Sequence, residues 1–503
     1  MDERKIGALL GYVQIAVQSV IGIIYVPLLL GRIGKAEYGL YQIVSSIIAY
    51  FTILETTLSA TVLRHYTVYL AEGKQDKMEN LLFMARKLFR ILSAVLMLLT
   101  VPAMFALYSF YKSSFSANEL REMILMFVIM MVNLVVSLNN YIYLACITAH
   151  QKYIFLKLLG IATLILQPFA VIALIYRFPY AKTVVLVQLI MAVIVSVIRY
   201  CYCKYKLQIT VKKHSGLDQT LLKELWAFSA GILLTTVADQ IFWKTDQVIL
   251  GKMIGTSIVG VYSVGVQLFN IYMSLAAGIG GVILPTVILK VKNEGMDSAS
   301  LFFRRIGRIQ FFVMGLIVTG FISFGKEFVT IWVGKDYISA YAVALLLMIP
   351  YTIDIIQGAG LSILQAVNKY HFRAKCMFVI SLINIVLTVV LINLFGMTGA
   401  AFATAISIII GSGIIMNIFY IKNVGLDITE FWKQMSPIFV MEILMLGVGY
   451  LINLIKIGNG WICFIIHTVI YVLIYAIVGY TIFMNEFEKN QIKNVLKKIR
   501  KTA

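Results

Sequence analysis

One stretch of the sequence concentrates side chains that could do chemistry inside an otherwise apolar run: Thr236, Asp239, Gln240, Trp243, Lys244, Asp246 and Gln247. At about 100° per residue all of them fall within one half of a helix, while Ile241, Phe242, Val248 and Ile249 occupy the other half. A charge at the centre of a bilayer costs about 2.5–3.5 kcal/mol on insertion scales, so such residues need a partner, water or a ligand. As a binding face, Lys244 contacts a phosphate or headgroup, and the carboxylates take sugar hydroxyls or a proton. As structure, the same groups form an ion-pair network between helices. The two readings balance for Asp246, near the end of the run; Lys244 and Asp239 lean towards binding.

A milder version precedes it. Tyr41, Ser45, Thr52, Glu55 and Ser59 share one helical face, with Glu55 the sole carboxylate near its middle. Arg64 follows at the end of that run, where its planar fork could hold a phosphate with two hydrogen bonds, although an interfacial arginine needs no such role. Gln14, Gln18 and Tyr25 line an uncharged face, and Asp354 with Gln357 invites a cation from another helix. Glu442 and His467 could pair with each other, although a lone histidine in a helix bundle is more often a satisfied structural residue than a ligand. The five histidines and five cysteines are dispersed, without metal-ligand spacing, and no paired acidic motif occupies a loop. The expectation is a non-enzyme with no cofactor and no bound metal.

The elements that position these residues follow from composition. Of 503 residues, 61% are hydrophobic and 13% charged, against about 25% charged in soluble domains. Lipid is the implied solvent. The net charge of +20 reads as the basic bias of cytoplasmic loops rather than nucleic-acid binding. A span needs about 20 apolar residues. Such runs lie near 6–30, 38–63, 88–111, 121–147, 154–177 and 182–203, then 224–250, 258–288, 307–333, 339–366, 375–395 and 399–421, with a last pair at 435–455 and 461–484. The first is too long for a signal-peptide core and reads as a span. About three-quarters of the 43 basic residues fall in one alternating set of loops and tails, which predicts that both termini face the cytoplasm.

The chain also repeats. Leu30-Gly31-Arg32-Ile33-Gly34 and Tyr38-Gly39-Leu40-Tyr41 are echoed by Leu250-Gly251-Lys252-Met253-Ile254-Gly255 and Val259-Gly260-Val261-Tyr262. Ala149-His150-Gln151-Lys152-Tyr153 is echoed by Ala366-Val367-Asn368-Lys369-Tyr370, and Glu72-Gly73 by Glu294-Gly295. Two parallel six-helix units are expected, related by an axis along the membrane normal. The expected lobes are 1–210 and 211–425, followed by an extra helix pair at 426–485 and a basic tail at 486–503.

The Leu30–Tyr41 pattern, Asp246-Gln247-Val248-Ile249-Leu250-Gly251 with Gly260-Val261-Tyr262-Ser263, Leu284-Pro285, and Arg64-His65-Tyr66 together resemble bacterial polysaccharide-biosynthesis transporters. These form the O-antigen flippase branch of the multidrug/oligosaccharidyl-lipid/polysaccharide exporter superfamily. The resemblance implies an all-α integral membrane fold of about fourteen helices, with two lobes around a V-shaped cavity. It implies a polyprenyl-diphosphate-linked oligosaccharide whose headgroup crosses the bacterial cytoplasmic membrane by alternating access. Membrane lipid and other polysaccharide-assembly proteins are the implied partners. The first and eighth spans lack the arginines expected of a peptidoglycan-precursor flippase. A cation-coupled drug or metabolite antiporter of the same superfamily is the alternative, although the first span offers no acid and the extra pair has no use there.

Overall fold

A computed structural model describes residues 3–212, 219–280, 283–455, 458 and 460–502. Within hydrocarbon every backbone amide must be satisfied inside its own segment, and the chain answers with helices; the described residues include no strand. Twelve of these helices are long and apolar enough to cross a membrane. The first, α1 (Glu3–Ala71), contains two arms meeting at Gly34, whose φ of 77° and ψ of 173° break the helical path. Counting both arms and adding α6 (Gln219–Met253), which lies outside that set, gives about fourteen spans, as expected from the sequence. Leu98 and Phe105 are 74% and 73% exposed, a surface suited to lipid and costly in water.

The remaining elements are α2 (Gln75–Tyr111), α3 (Ala117–Ala149), α4 (Tyr153–Ile175), α5 (Ala181–Cys201), α7 (Thr256–Gly280), α8 (Ile283–Trp332), α9 (Ser339–Ile356) and α10 (Gly358–Ala366). After them come α11 (Tyr370–Phe395), α12 (Met397–Ile408), α13 (Met416–Phe419), α14 (Ile428–Leu454), α15 (Trp461–Val478) and α16 (Glu486–Thr502). A wide π-helical turn, Tyr202–Lys206, finishes α5.

The chain divides into two compact units. One comprises Met1–Val264 with Met377–Ala400, the other Gly265–Cys376 with Ala401–Ala503. In the first, α1 packs on α3, α4 and α6, and α3 packs on α2 and α5. In the second, α8 packs on α9, α10, α14 and α15. There Arg308 and Glu488 form a buried two-pronged ion pair, Nε to Oε1 at 2.6 Å and Nη2 to Oε2 at 3.2 Å, and Arg308 also donates to the Phe483 carbonyl at 3.1 Å. This pair ties the first turn of α16 to α8.

The echoed motifs carry matching backbone. Gly34 and Gly255 have φ of 77° and 117°, Gly73 and Gly295 68° and 81°, and Gln151 and Asn368 58° and 56°. Left-handed backbone favours Gly, then Asn-like residues, so the repeat preserves turns as well as letters. The Tyr38-Gly39 and Val259-Gly260 copies also meet each other. A Cβ on Gly39 would come within 2.7 Å of the Gly260 nitrogen, and one on Gly260 within 3.0 Å of the Lys35 carbonyl carbon. The second arm of α1 and the start of α7 therefore cross backbone to backbone.

Two loop groups have shifted acidities. Lys74 lies 2.8 Å from Glu72 and holds that exposed carboxyl below its usual range. Burial, then the Lys152 charge, pushes the His150 imidazole below its usual value. Its Nε2 lies 3.3 Å from the Tyr66 hydroxyl.

Candidate functional site

The polar stripe of α6 is divided among different surroundings. Asp246 and Gln247 are each only 4% exposed. The Asp246 carboxylate accepts hydrogen bonds from the Tyr262 hydroxyl at 2.7 Å and the Thr388 hydroxyl at 2.9 Å. Gln247 bonds Ser46 and donates to Ser263 at 3.1 Å, while Thr245 meets Tyr50 at 2.6 Å. This end of the stripe is a seam fastening α6 to α1, α7 and α11. Further up, Asp239 is exposed, and Gln240, Trp243 and Lys244 are partly buried. Trp243 stands edge-on to Phe242 at 4.8 Å. Phe242 is buried rather than facing lipid, so both halves of α6 are partly enclosed by protein. Lys244 makes no hydrogen bond or ion pair among the described residues. A partly buried ammonium in that condition is suited to an anionic ligand.

Glu55 opens onto a polar chamber of about 350 Å³ between α1, α3, α4 and α5. From α3 come Asn133, Ser137, Asn140 and Tyr141; from α4, Thr163 and Gln167; from α5, Gln188 and Arg199. Glu55 is 7% exposed, and the Tyr141 hydroxyl faces its carboxyl. Gln188 donates to Tyr41 at 2.7 Å. The buried Oδ1 atoms of Asn133 and Asn140 and the buried Nε of Arg199 have no hydrogen-bond partner among the described residues. Unmet buried polar groups cost about 1–3 kcal/mol each. A ligand or water rich in hydroxyls would satisfy them. The chamber thus offers both donors and acceptors, one acid and one base, within membrane-spanning helices.

The other residues singled out from sequence lie apart. Gln14 accepts from Lys157 at 3.1 Å, joining α1 to α4, and Gln18 is exposed. Arg64 is exposed near the end of α1. In the second unit Asp354 does find its cation: Arg373 donates at 3.1 and 3.4 Å, and Ser412 adds a bond at 2.7 Å. Gln357 bonds Asn417 at 3.1 Å. Glu442 and His467 do not pair. Glu442 accepts from Thr319 at 3.2 Å and from Tyr475, whereas His467 Nε2 lies 2.8 Å from the Ile455 carbonyl oxygen. Glu327, Cys463 and His467 bring potential metal-ligand atoms within 4.8 Å of one another. The sulfur is 3.8 and 3.7 Å from the two ring nitrogens, and Nε2 is already engaged with the Ile455 carbonyl oxygen.

Sequence reasoning found Glu55 and missed the rest of its chamber. A signal was present: Asn133, Ser137, Asn140 and Tyr141 recur at i, i+4, i+7 and i+8, a helical stripe inside an apolar run. Arg199 lies in the last turn of α5, where a basic residue at a span's end needs no further role.

Comparison with known proteins agrees with this architecture. The family model described as "Polysaccharide biosynthesis protein" matches residues 7–288. The probable low-salt glycan biosynthesis flippase Agl15 of Haloferax volcanii is 25% identical over 45% of this chain and 47% of its own length. The probable flippase AglR of the same organism is 28% identical over 33% of this chain and 36% of its own. The matches thus span less than half the length of these two relatives. The uncharacterized membrane protein EpsK of Bacillus subtilis is 22% identical over 95% of this chain and 94% of its length. Among solved structures, the lipid II flippase MurJ in an inward closed conformation superposes with a TM-score of 0.71, at 16% identity, over 96% of this chain and 100% of that one. An inward-facing multidrug resistance MATE family transporter of the MOP superfamily gives 0.63 at 11% identity, over 81% and 96%. The chain has the fold of that superfamily.

Proposed function

We propose that this chain, which belongs to the polysaccharide biosynthesis protein family, is a flippase that moves a lipid-linked oligosaccharide on a polyprenyl diphosphate across the cytoplasmic membrane. The observation that carries this reading is the chamber around Glu55. A glycan crossing a bilayer needs hydrogen-bond partners where water is scarce. Among the described residues Asn133, Asn140 and Arg199 hold unpaired buried polar atoms on helices of spanning length, and Gln167 and Tyr141 line the same chamber. Relatives that carry the name flippase support the same reading.

On this proposal sugar hydroxyls exchange hydrogen bonds with the chamber's amides, and Lys244 contacts a phosphate oxygen. Asp239, Gln240 and Trp243 extend that contact along α6, whereas Asp246 fastens the helix. The lobes 1–210 and 211–425 alternate access, both termini face the cytoplasm, and no covalent bond is made or broken. The buried carboxylate of Glu55 also favours a second reading, a cation-coupled antiporter, which shares the fold.

The test is flipping of a fluorescent polyprenyl-diphosphate oligosaccharide in proteoliposomes by wild type, Asn140→Leu and Lys244→Ala. Protein-dependent movement, reduced at least tenfold in both folded variants, is expected for loss of about 1.4 kcal/mol or more of binding in transit. Movement unaffected by either variant would remove the chamber and Lys244 from the path. Absence of movement in wild type, with proton- or sodium-driven efflux of an organic cation, would establish the antiporter instead.

A further inference from the structure

We propose that a second pocket in the first unit, between α2, α3 and the end of α5, binds the phosphate headgroup of a membrane lipid. The pocket, about 190 Å³, is lined by Arg86, Tyr143, Tyr200, Lys204, Ile209 and Val211 among others, and none of its lining residues is acidic. Its walls are built by unusual backbone. The π-helical turn Tyr202–Lys206 buries Cys203 while leaving Lys204 at the pocket. Gln208 then adopts a φ of 52°, and the chain doubles back. Ile209 N donates to the Cys203 carbonyl at 3.0 Å, and Thr210 bonds buried Glu79, which pins Ile209 and Val211 as the outer wall. π-turns and left-handed non-glycine residues carry a conformational cost and gather at functional sites.

The pocket's chemistry selects an anion. Arg86 donates through one nitrogen, Nη2, to the Tyr143 hydroxyl at 3.2 Å, which orients the guanidinium. Tyr143 stands edge-on to Tyr200 at 5.4 Å, and the Lys204 ammonium lies 5.8 and 5.3 Å from the Tyr200 and Tyr205 rings. A planar fork beside a mobile ammonium suits a phosphate oxygen set. On the same helices the neighbouring turns expose Ile91, Val95, Ile194 and Val197, a surface that acyl or prenyl chains would cover. A lipid-borne phosphate therefore fits better than a free one. Its source is either a bulk phospholipid or a polyprenyl carrier, and the inference stands independently of the transported cargo.

Native mass spectrometry of the delipidated full-length protein tests it, with phosphatidylglycerol, a polyprenyl diphosphate and zwitterionic phosphatidylcholine as probes. Wild type is expected to retain an anionic lipid over phosphatidylcholine. Retention should fall at least about tenfold in Arg86→Gln/Lys204→Gln, from loss of two charge-assisted contacts. Arg86→Lys should restore part of it. Selective retention of the polyprenyl diphosphate assigns the pocket to the carrier, and retention of phosphatidylglycerol alike assigns it to bulk lipid. Lys204 is exposed, so Lys204→Gln alone keeps the test open should the double variant misfold. Equal retention by wild type and Lys204→Gln, or no preference for anionic lipid, overturns the proposal.

Discussion

Replacing Gly39 by alanine puts a methyl group into the crossing of α1 and α7. Its Cβ would sit 2.7 Å from the Gly260 nitrogen and 2.8 Å from the Thr256 carbonyl carbon, where ordinary contacts start near 3.4 Å. The Thr256 carbonyl oxygen lies closer still, and backbone cannot rotate aside as a side chain can, so the helices must part by more than about 0.7 Å, a gap that forfeits at least a quarter to a half of each dispersion contact it opens. The neighbours that lose contact are fully packed: Tyr38, Leu40, Val259 and Val261 are 2%, 1%, 0% and 6% exposed. Overpacking costs about 1–3 kcal/mol where the surroundings yield, so Gly39→Ala should cost about 3 kcal/mol or more. Gly447→Ala is the control, because nothing lies within 4 Å of its added carbon. It should be neutral or stabilising by up to about 1 kcal/mol. Gly260→Ala wedges the same crossing, so the double variant should cost less than the sum of the singles. Thermal and denaturant unfolding in detergent micelles measure all four. Coincident transitions for Gly39→Ala and Gly447→Ala would refute the close-crossing argument.

Three further outcomes follow from the geometry. Glu488→Gln removes one charge of a buried pair and should destabilise the protein by about 3–5 kcal/mol, whereas Arg308→Met with Glu488→Met should recover most of that; unfolding midpoints and protease cleavage after Phe483 report it. Asp246→Ala leaves the Tyr262 and Thr388 hydroxyls without their carboxylate and should cost about 2–4 kcal/mol, and an unchanged melting temperature would contradict the seam. His150 has a depressed value when folded, so folding favours its neutral form. Its contribution is present above the unfolded value near 6.5 and fades as pH falls below it. Stability measured from pH 7.5 to 5 should decline less in His150→Gln than in wild type, and parallel curves would count against the shift.

The repeat was legible because its turns demand particular residues. Gly34, Gly73, Gly255 and Gly295 occupy left-handed backbone, and that requirement leaves letters at fixed spacing in the sequence. The spans were legible because lipid imposes length and apolarity. The chamber was legible only in part: α3 carries a polar stripe, but Glu55, Thr163, Gln167, Gln188 and Arg199 come from three other helices, and only packing unites them with it. The α6 stripe shows the reverse. Its one-sided periodicity suggested a single wet face, yet the neighbours of Asp246 and Gln247 come from α1, α7 and the distant α11. On α11 Ser381, Asn384 and Thr388 are each 0% exposed, a polar face whose destination no local pattern announces.

That distant contribution has a consequence for biosynthesis. The first unit needs Met377–Ala400, so the ribosome must make all of Gly265–Cys376 before the unit can close. At about 5–20 residues per second the wait lasts roughly six to twenty-five seconds. Throughout it Asp246 has already entered the membrane, while Thr388, one of its hydrogen-bond donors, does not yet exist. A half-made chain therefore carries a carboxylate short of one partner into hydrocarbon, and the cell's insertion machinery must shelter it until α11 arrives.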